Sequence, residues 1–538
     1  MKFSSVSVLL SVTAFFLAAA RINHGLVDSS LPVGPGLTLD ESFNIEQGIY
    51  LFDAVVTHGP GILNPATAQD VFGSKRYFSD HVPLIRFLLG TAHEGLAWLI
   101  PGAEQSVYNV PAARLGSCLL FAVTVLVLCE LARRLYGMQT AVVAAVLLML
   151  MPRVVGHARL ASLETGTMLT WLTAVVPLMT WWTGERPPTT RQCVISGLMF
   201  GLLLLSKVQG ILLPPLAVVW ALVSFRKRSI RPLLIWGLVA GTVLFVGWPW
   251  LWLDPIGHLQ QYLGKTTDRP PIHVWYFGHR YVDKHLPWHF PFVMTAVTVP
   301  VTVLLGLVLR GCQRSLERTE ILLSATVLWP LIVFAIPGTP VYDGTRLFLV
   351  IMPGIALLAA RGIVLFFCQT GSRSAMAVAA AVLLATTAAT VPRVLSPVAL
   401  CDYNLLTGGP RGAFAIGMET DYWSSGLNGE FWKQVPANST IYVAPVSHQF
   451  QLQDLEHLVP MVSRKNVQLV PFKYDPQAQR GLVLLIHRLA DLPRHLRSGP
   501  DGADVVASGT WHGVILYRLV DTTRATWPQT TNWPPDEQ

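Results

Sequence analysis

The chain has 538 residues, of which 52% are hydrophobic and only 13% are charged, and its mean hydropathy is +0.47. This composition excludes an ordinary soluble enzyme of two or three domains. The formal net charge of +8 would suggest nucleic-acid binding in a soluble protein. Here the basic residues cluster in short gaps between apolar runs, as they do in the cytoplasmic loops of membrane proteins. We therefore expect a polytopic helical membrane protein that binds no nucleic acid.

Apolar runs near the length of a membrane crossing recur from residue 3 to residue 394. They predict eleven spans, at 3–21, 111–131, 138–152, 160–182, 193–206, 209–225, 232–252, 290–309, 320–338, 346–365 and 375–394. The runs at 138–152 and 193–206 are short for a full crossing of the bilayer. The first run follows Lys2 and ends in "LAAAR", which also fits a cleavable signal peptide. We expect an uncleaved first helix.

The basic residues between the runs predict the orientation of the chain. If the amino terminus is inside, every even-numbered loop is cytoplasmic and carries arginine or lysine, as in "FRKRSIRP" and "RGCQRSLER". The odd-numbered loops then face outward, including the long loops at 22–110 and 253–289. The region after residue 395 is also outside in this arrangement.

The composition changes after the last apolar run. Residues 436–521 contain the β-like runs "STIYVAPV", "NVQLVPF", "GLVLLIH" and "GVILYRLV", with the helix-like "HQFQLQDLEHLVPMV" after the first. We therefore predict a transmembrane domain over 1–394, a connecting segment over 395–435 and a small extracytoplasmic α/β domain over 436–521. The Pro- and Thr-rich tail, 522–538, is expected to be disordered.

Polar side chains that the cytoplasmic loops do not explain all fall on the outer side of this topology. Ionisable groups near the hydrocarbon are costly and usually functional. Taken singly, the acidic pair "DE" suits a helix amino terminus, and a lone lysine or arginine can extend its charged end to the lipid headgroups. Because all these side chains lie on one side of the membrane, a common functional site is favoured over these separate explanations. The residues are Asp40, Glu41, His81, Arg114, Glu164, Lys207, Tyr342, Asp343 and Arg346.

Metal and disulfide chemistry have little support in the sequence. The histidines of the loop 253–289 do not have the spacing of a zinc-binding helix. The six cysteines form no CxxC pair, and the proposed long external regions contain only Cys401. We predict no metal site and no disulfide framework, and the sequence leaves open whether a divalent cation takes part.

The motifs that are missing restrict the chemistry of an outward-facing site. No P-loop occurs, and no Gly-x-Gly-x-x-Gly follows a strand, so nucleotide handling is unsupported. A group-transfer enzyme in this position needs a donor that the lipid delivers, and a polyprenyl-phosphate sugar meets that need. Lysine and arginine would stabilise the departing phosphate. One carboxylate would accept the proton of the acceptor hydroxyl, and the neighbouring carboxylate would hold that base in place. A single base with no protein nucleophile predicts inversion at the sugar.

Several short motifs resemble one family of membrane enzymes over about residues 3–394. They are the acidic pair after the first span, "SDHVPLIRFLLG", "ARLGS", "ARLASLET", "LLLLSKVQG" and "YDGTRLFLVIMPGIALLAARG". The chain is similar in these to the GT-C superfamily of glycosyltransferases, and within it to the dolichyl-phosphate-mannose–protein mannosyltransferase family. The bacterial relatives of that family include lipid A aminoarabinose transferases. The later stretch "YNLLTGGPRGAFAIGMETDYW" also resembles those bacterial members.

The resemblance implies a GT-C fold of about eleven transmembrane helices, with interfacial helices in the loop 22–110. It also implies a role for each matching residue. Asp40 would be the catalytic base and Glu41 its partner. Glu164 would be a further catalytic residue, and it stands where relatives often have aspartate in the second acidic motif. Arg114, Lys207 and Arg346 would contact the donor phosphate or headgroup, and His81, Tyr342 and Asp343 would bind substrate. Val82 replaces the proline that is usual in the family segment.

We thus expect an inverting hexosyl- or pentosyltransferase in the bacterial inner (plasma) membrane. It would use a polyprenyl-phosphate sugar donor, and the acceptor could be a protein, a lipid or a glycan. The alternative from another class is a secondary transporter, which would carry its substrate site near the bilayer midplane and often shows repeat symmetry. The centres of the predicted spans are nearly free of ionisable residues, and no repeat is visible.

Overall fold

The structure is a computed structural model. It describes residues 3–23, 32–100, 108–265, 270–313, 315–421, 423–446, 449, 452–453, 455–456, 459–472, 480–493, 496–497 and 499–525. Most of these residues are helical, and a small sheet lies near the carboxyl terminus. This confirms the coarse fold class that the hydropathy pattern predicts.

The helices follow one another through the first 434 residues. They are α1 (Ser5–Ala19), α2 (Leu39–His58), α3 (Pro65–Phe72), α4 (Pro83–Leu96), α5 (Val110–Tyr136), α6 (Met138–Met149), α7 (Pro152–Ala158), α8 (Leu163–Trp181), α9 (Thr190–Leu204), α10 (Leu213–Phe225), α11 (Ile230–Gly247), α12 (Trp250–Leu253), α13 (Pro255–Gly264), α14 (Phe290–Thr298), α15 (Val301–Gly311), α16 (Arg318–Phe334), α17 (Met352–Gln369), α18 (Arg373–Val394), α19 (Gly409–Ala415) and α20 (Gly429–Gln434). A short helix, α21 (Pro460–Arg464), lies within the carboxy-terminal domain.

The predicted number of membrane crossings is not confirmed. A helix lies in each of the eleven apolar runs, but only four described helical stretches are long and apolar enough to span a bilayer: Val110–Tyr136, Val208–Gly247, Arg346–Gln369 and Arg373–Val394. Two bent pairs, α6 with α7 and α14 with α15, raise the number to six if each pair is one span. Helices α1 and α9 have 15 residues each, fewer than the roughly 20 that a straight crossing needs.

Proline explains both bends in these pairs. The axis turns by 73° between α6 and α7, where Pro152 begins the second helix, and by 114° between α14 and α15, where Pro300 precedes the second helix. Proline lacks an amide hydrogen and disfavours helical backbone in the residue before it. The hydropathy of the run 290–309 is continuous across this break, and for that reason hydropathy alone reads the run as one straight helix.

Helix α1 packs against α5 through polar as well as apolar contacts. The Ser4 amide and the Ser7 hydroxyl both donate to Oε1 of Glu130, at 2.9 and 2.8 Å. Ala14 and Ala18 are fully buried in the main hydrophobic core. A buried carboxylate needs such donors, so the start of α1 is fixed to the end of α5.

The carboxy-terminal domain contains a five-stranded sheet with the order β4-β3-β5-β7-β6. The strands are β3 (Thr440–Ala444), β4 (Gln468–Pro471), β5 (Leu482–Ile486), β6 (Asp504–Trp511) and β7 (Val514–Asp521). Strand β3 pairs in parallel with β4 and β5, whereas β7 runs antiparallel to both β5 and β6. Four of these strands coincide with the predicted β-like runs. Six of the fifteen residues of the predicted helix at 448–462 lie outside the described residues, as does the tail from residue 526.

Two β elements were not predicted. Strand β6 lies at the edge of the sheet, and most of its side chains are exposed, so it lacks a buried apolar pattern. The second element is a hairpin of β1 (His273–Tyr276) and β2 (His279–Val282) in the aromatic loop 253–289. Its two-residue turn, Phe277 and Gly278, has φ of 48° and 79°, and glycine in such a turn is a recognised hairpin signal.

Helices α15 and α17 approach each other closely at a pair of glycines. A Cβ atom added to Gly362 would lie 2.1 Å from the carbonyl oxygen of Gly306. The obstructing atom belongs to the backbone, so it cannot move without separating the helices. Small residues at such a crossing allow the close packing on which membrane helices depend.

We predict that Gly362→Ala destabilises the protein by about 1–3 kcal/mol, the usual cost of overpacking a tight contact. Gly241→Ala on α11 is the matched control, because no atom lies within 4 Å of its added Cβ. The measurement is the thermal unfolding midpoint of each purified variant in the same detergent. Equal midpoints for the two variants would show that the crossing tolerates the extra methyl group.

Candidate functional site

The acidic pair lies in the first turn of α2. Thr38 precedes this helix, and its amide and hydroxyl donate to Oε2 of Glu41 at 3.0 and 3.2 Å. Acidic residues are favoured at this end of a helix because free amide groups point toward them. The capping interaction fixes the turn that carries Asp40.

Glu41 and Arg114 form a fully buried ion pair. Arg114 donates Nε and Nη2 to the two oxygens of the Glu41 carboxylate, at 2.7 and 2.8 Å. The Ala161 amide donates to the same carboxylate at 2.8 Å. The other contacts of the guanidinium are backbone carbonyl oxygens at 2.7–3.0 Å, those of Ile22, Pro35 and Gly36.

This pair is a structural clamp on the chain that leads into α2. All five N–H donors of Arg114 have an acceptor. The geometry does not support the prediction that Arg114 contacts a donor phosphate, because it has no donor left to offer. Glu41 fits the prediction of a neighbour that holds Asp40 in place.

A second cluster of charges brings together residues that are far apart in the sequence. Oε1 of Glu164, in the first turn of α8, accepts from Nζ of Lys207 at 2.6 Å and from Nε of Arg346 at 2.7 Å. Lys207 lies in the turn after α9, and Arg346 begins the segment that leads into α17. All three side chains are buried. Buried charges of this kind require opposite charges beside them.

Arg346 is the centre of the cluster. Its Nη2 contacts Oδ2 of Asp40, and its Nη1 donates to Oδ2 of Asp343 at 3.0 Å. One guanidinium therefore contacts three carboxylates, two of them on other helices. The Tyr342 ring lies 5.9 Å from the guanidinium carbon, within reach of a cation–π interaction.

The carboxylates of the cluster differ in their access to water. The Asp40 side chain is 36% exposed, whereas that of Glu164 is 1% exposed. Oε2 of Glu164 has no hydrogen-bond partner among the described residues. Asp40 is thus the carboxylate that a group from the aqueous side can reach, and Glu164 is the internal countercharge of the two cations.

His81 lies close to this cluster in a separate polar group. Asp80 accepts two hydrogen bonds from Arg86, at 2.7 and 2.9 Å, and Nε2 of His81 lies 3.9 Å from the same carboxylate. Burial, and then the positive charge of Arg86, lower the pKa of His81 below its usual range, and Lys207 and Arg346 act in the same direction. His81 is therefore a neutral imidazole near pH 7, in which one ring nitrogen can donate a hydrogen bond and the other can accept one.

Two residues of this site were not predicted, and both follow the last span. The Trp423 ring lies 4.3 Å from the guanidinium carbon of Arg346, and its Nε1 donates to Oδ2 of Asp343 at 3.3 Å. Arg488, just after β5, donates to Oδ1 of Asp343 at 3.4 Å. The sequence contained one signal, because Trp423 ends the family-like stretch "GMETDYW". Nothing in the sequence around Arg488 distinguishes it from a solvated loop arginine.

Metal binding finds no geometric support in the part of the chain that the structure describes. Among those residues, no group of three or more His, Cys, Asp or Glu side chains could hold a metal ion. The arrangement can match the charge of an anion with Lys207 and Arg346 and can take up a proton at Asp40. Both functions are those of a transfer reaction with an anionic leaving group.

Comparison with known proteins supports this interpretation over part of the chain. Residues 98–253 match the family model described as dolichyl-phosphate-mannose-protein mannosyltransferase. The matched region contains Arg114, Glu164 and Lys207, and it confirms the predicted resemblance there. A search of curated protein sequences finds no significant match.

Two solved structures are similar to most of the chain. One is ArnT from Cupriavidus metallidurans bound to undecaprenyl phosphate, with 13% identity and a TM-score of 0.48 over 96% of this chain and 97% of that one. The other is the archaeal oligosaccharyltransferase AglB from Archaeoglobus fulgidus in complex with an inhibitory peptide and a dolichol-phosphate. Its identity is 13% and its TM-score 0.42, over 90% of this chain and 69% of that one.

The stability of the protein is expected to depend on pH through the buried carboxyl group of Asp421, beside Trp423. Burial raises the pKa of this carboxyl to about 6, while its Oδ1 accepts from the amides of Trp423 and Ser424. Because the folded state binds this proton more tightly than the unfolded chain, the group's contribution to stability falls as pH rises from about 4 to about 6.

We predict that Asp421→Asn, which keeps an acceptor oxygen but cannot ionise, stabilises the protein at pH 7.5 by about 1–3 kcal/mol. The gain should fade at pH 4.5, where the wild-type carboxyl is protonated. The exposed Asp504, changed to Asn, is the control and should have little effect at either pH. Thermal unfolding at both pH values measures this, and a pH-independent effect of the Asp421 variant would contradict it.

Proposed function

We propose that this protein is an inverting glycosyltransferase of the GT-C type, which moves a sugar from a polyprenyl-phosphate donor to an acceptor hydroxyl at the extracytoplasmic side of the membrane. The observation that carries the proposal is the Asp40–Arg346 contact at the edge of a buried charge cluster. It combines an accessible carboxylate with two cations, in a chain whose residues 98–253 match a family of lipid-phosphate-dependent mannosyltransferases.

Asp40 is the proposed general base. The acceptor hydroxyl is a weak nucleophile, and it gains reactivity as its proton passes to the Asp40 carboxylate. The new bond forms between the acceptor oxygen and the anomeric carbon, and the bond from that carbon to the phosphate oxygen breaks. Its electron pair leaves with the polyprenyl phosphate. A single displacement of this kind inverts the configuration at the anomeric carbon.

Lys207 and Arg346 are proposed to stabilise the departing phosphate. In the free protein Arg346 Nη2 is engaged by Asp40 and its Nε by Glu164. A donor phosphate would compete with Asp40 for Nη2, and its binding would release the carboxylate toward the acceptor. Donor binding and activation of the base are then linked through one guanidinium. Glu164 stays behind as the countercharge that keeps both cations in place.

The remaining specificity of the enzyme is part of the proposal. We propose a hexosyl- or pentosyltransferase of the bacterial inner membrane, whose acceptor is a protein, a lipid or a glycan. His81, Tyr342 and Asp343 adjoin the cluster and are proposed to contact substrate or to shape its pocket. Neither the family match nor the geometry of the charge cluster supports the transporter alternative.

We predict that Asp40→Asn lowers the transfer rate by about 10²–10⁴-fold, because an amide cannot accept the proton. The assay uses the purified chain in proteoliposomes with a panel of radiolabelled polyprenyl-phosphate hexoses and pentoses. Asp53→Asn is the matched control, since Asp53 is an exposed acid on the same helix. Full activity of the Asp40 variant would remove Asp40 as the base.

We predict that Arg346→Lys lowers the transfer rate by about 10²-fold or more, because an ammonium group cannot contact three carboxylates in fixed directions. Arg361→Lys is the control. Arg361 also pairs with a carboxylate, Glu317, but it is not part of the site. Equal rates for these two variants, in the same proteoliposome assay, would contradict a role for the guanidinium geometry.

A further inference from the structure

We propose that the segment 423–428 and Arg488, both of which follow the last span, are positioning elements that set the Arg346 guanidinium for phosphate binding. The proposal rests on the proposed function, because it concerns the same guanidinium. It extends the site beyond the transmembrane domain and assigns roles to Trp423 and Arg488.

Trp423 contacts the cluster through both its ring and its indole N–H. Its ring covers the Arg346 guanidinium at 4.3 Å and its indole N–H donates to Asp343. A flat ring over a flat guanidinium restricts the plane in which the five N–H groups point. Trp423 therefore contacts both Arg346 and the carboxylate that orients it.

The backbone around Trp423 is itself fixed by hydrogen bonds. Asp421 is buried, and its Oδ1 accepts from the amides of Trp423 and Ser424. This local turn determines the direction of the tryptophan side chain. The rest of the segment then continues toward the amino-terminal part of the chain.

The segment 423–428 also contacts the part of the chain that precedes Asp40. The Gly36 amide donates to the carbonyl oxygen of Ser425 at 2.8 Å, and Nδ2 of Asn428 donates to the carbonyl oxygen of Gly34 at 3.2 Å. A Cβ on Gly36 would lie 2.4 Å from the carbonyl oxygen of Leu427, so the two backbones are in close contact. The segment 423–428 thus connects the backbone that leads into α2, where Asp40 lies, with the guanidinium of Arg346.

Arg488 also changes the balance between carboxylates and cations around Arg346. Asp40, Glu164 and Asp343 are three carboxylates, and Lys207 and Arg346 supply only two cations. Arg488 is a third cation, which is shared between Asp343 at 3.4 Å and Asp491 at 2.7 Å. If Arg488 is absent, Arg346 is the one cation that still pairs with Asp343 among the described residues. The potential that attracts a phosphate to Arg346 then becomes weaker.

Binding of undecaprenyl phosphate, a polyprenyl monophosphate, tests this arrangement without requiring a known sugar. The protein is the full chain in lipid nanodiscs, and the measurement is the dissociation constant. We expect Trp423→Leu to weaken binding about tenfold and Trp423→Phe, which keeps a ring over Arg346, to weaken it less than about threefold. Trp288→Leu is the control, because Trp288 is exposed and contacts only His289 and Phe292 among the described aromatic rings.

Arg488 is tested by a double-mutant cycle with Asp343. We expect Arg488→Gln to weaken binding about tenfold in the wild-type background and less than about twofold in an Asp343→Asn background, where the carboxylate that Arg488 shares with Arg346 is absent. Asparagine is suited to position 343, since φ there is +54°. Arg497→Gln is the control for the integrity of the loop, because Arg497 donates to the Leu489 and Leu492 carbonyls. Its effect should be the same in both backgrounds.

The outcomes separate this inference from the proposed function. If the wild-type chain does not bind undecaprenyl phosphate, the proposed function fails and the inference fails with it. If the wild type binds, but the Trp423 and Arg488 variants behave like their controls, only the positioning role is overturned. Additive effects of the Arg488 and Asp343 changes would also overturn it, since a merely structural arginine would cost the same in either background.

Discussion

The site depends on one arginine in a place where water is scarce. The Arg346 guanidinium contacts carboxylates that come from positions 40, 164 and 343 of the chain. Removing such charges from water is costly, and a cluster of this kind persists only if each charge has a partner. The packing of α2 and α8 against the start of α17 is therefore constrained by the need to bring their acidic residues to a single cation. The same constraint leaves Asp40 at the edge, where it remains accessible.

The adjacent residues Asp40 and Glu41 show how one turn of helix can separate two roles. Glu41 points inward to Arg114 and is fully buried, while Asp40 faces the cluster and water. The sequence predicts that an acidic pair here is functional and that one member supports the other. The sequence assigns Arg114 to the donor headgroup, whereas its guanidinium in the structure donates to Glu41 and to the carbonyls of Ile22, Pro35 and Gly36.

Hydropathy and charge predict much of the fold, since they act over long stretches. Helices occur in all the apolar runs, and four of the five strands of the small sheet follow the predicted β-like runs. Bends in helices and strands without a buried apolar pattern were not predicted. Pro300 bends an apolar run that has uniform hydropathy, and β6 is an exposed edge strand without a buried face. The roles of Trp423 and Arg488 could not be predicted from the sequence for another reason. Each depends on a contact with Asp343, which lies 80 and 145 residues away in the chain.

This separation in sequence bears on how the site assembles. The cations and carboxylates of the helices can come together when the transmembrane part packs, but the ring over Arg346 and the third cation arrive only with the later segment. Because the segment 423–428 also holds the backbone before Asp40 through Gly34 and Gly36, it acts on both members of the Asp40–Arg346 pair. The part of the chain that follows the last apolar run therefore contributes directly to the site. How this part packs and how the charged side chains align are coupled, because the same contacts serve both.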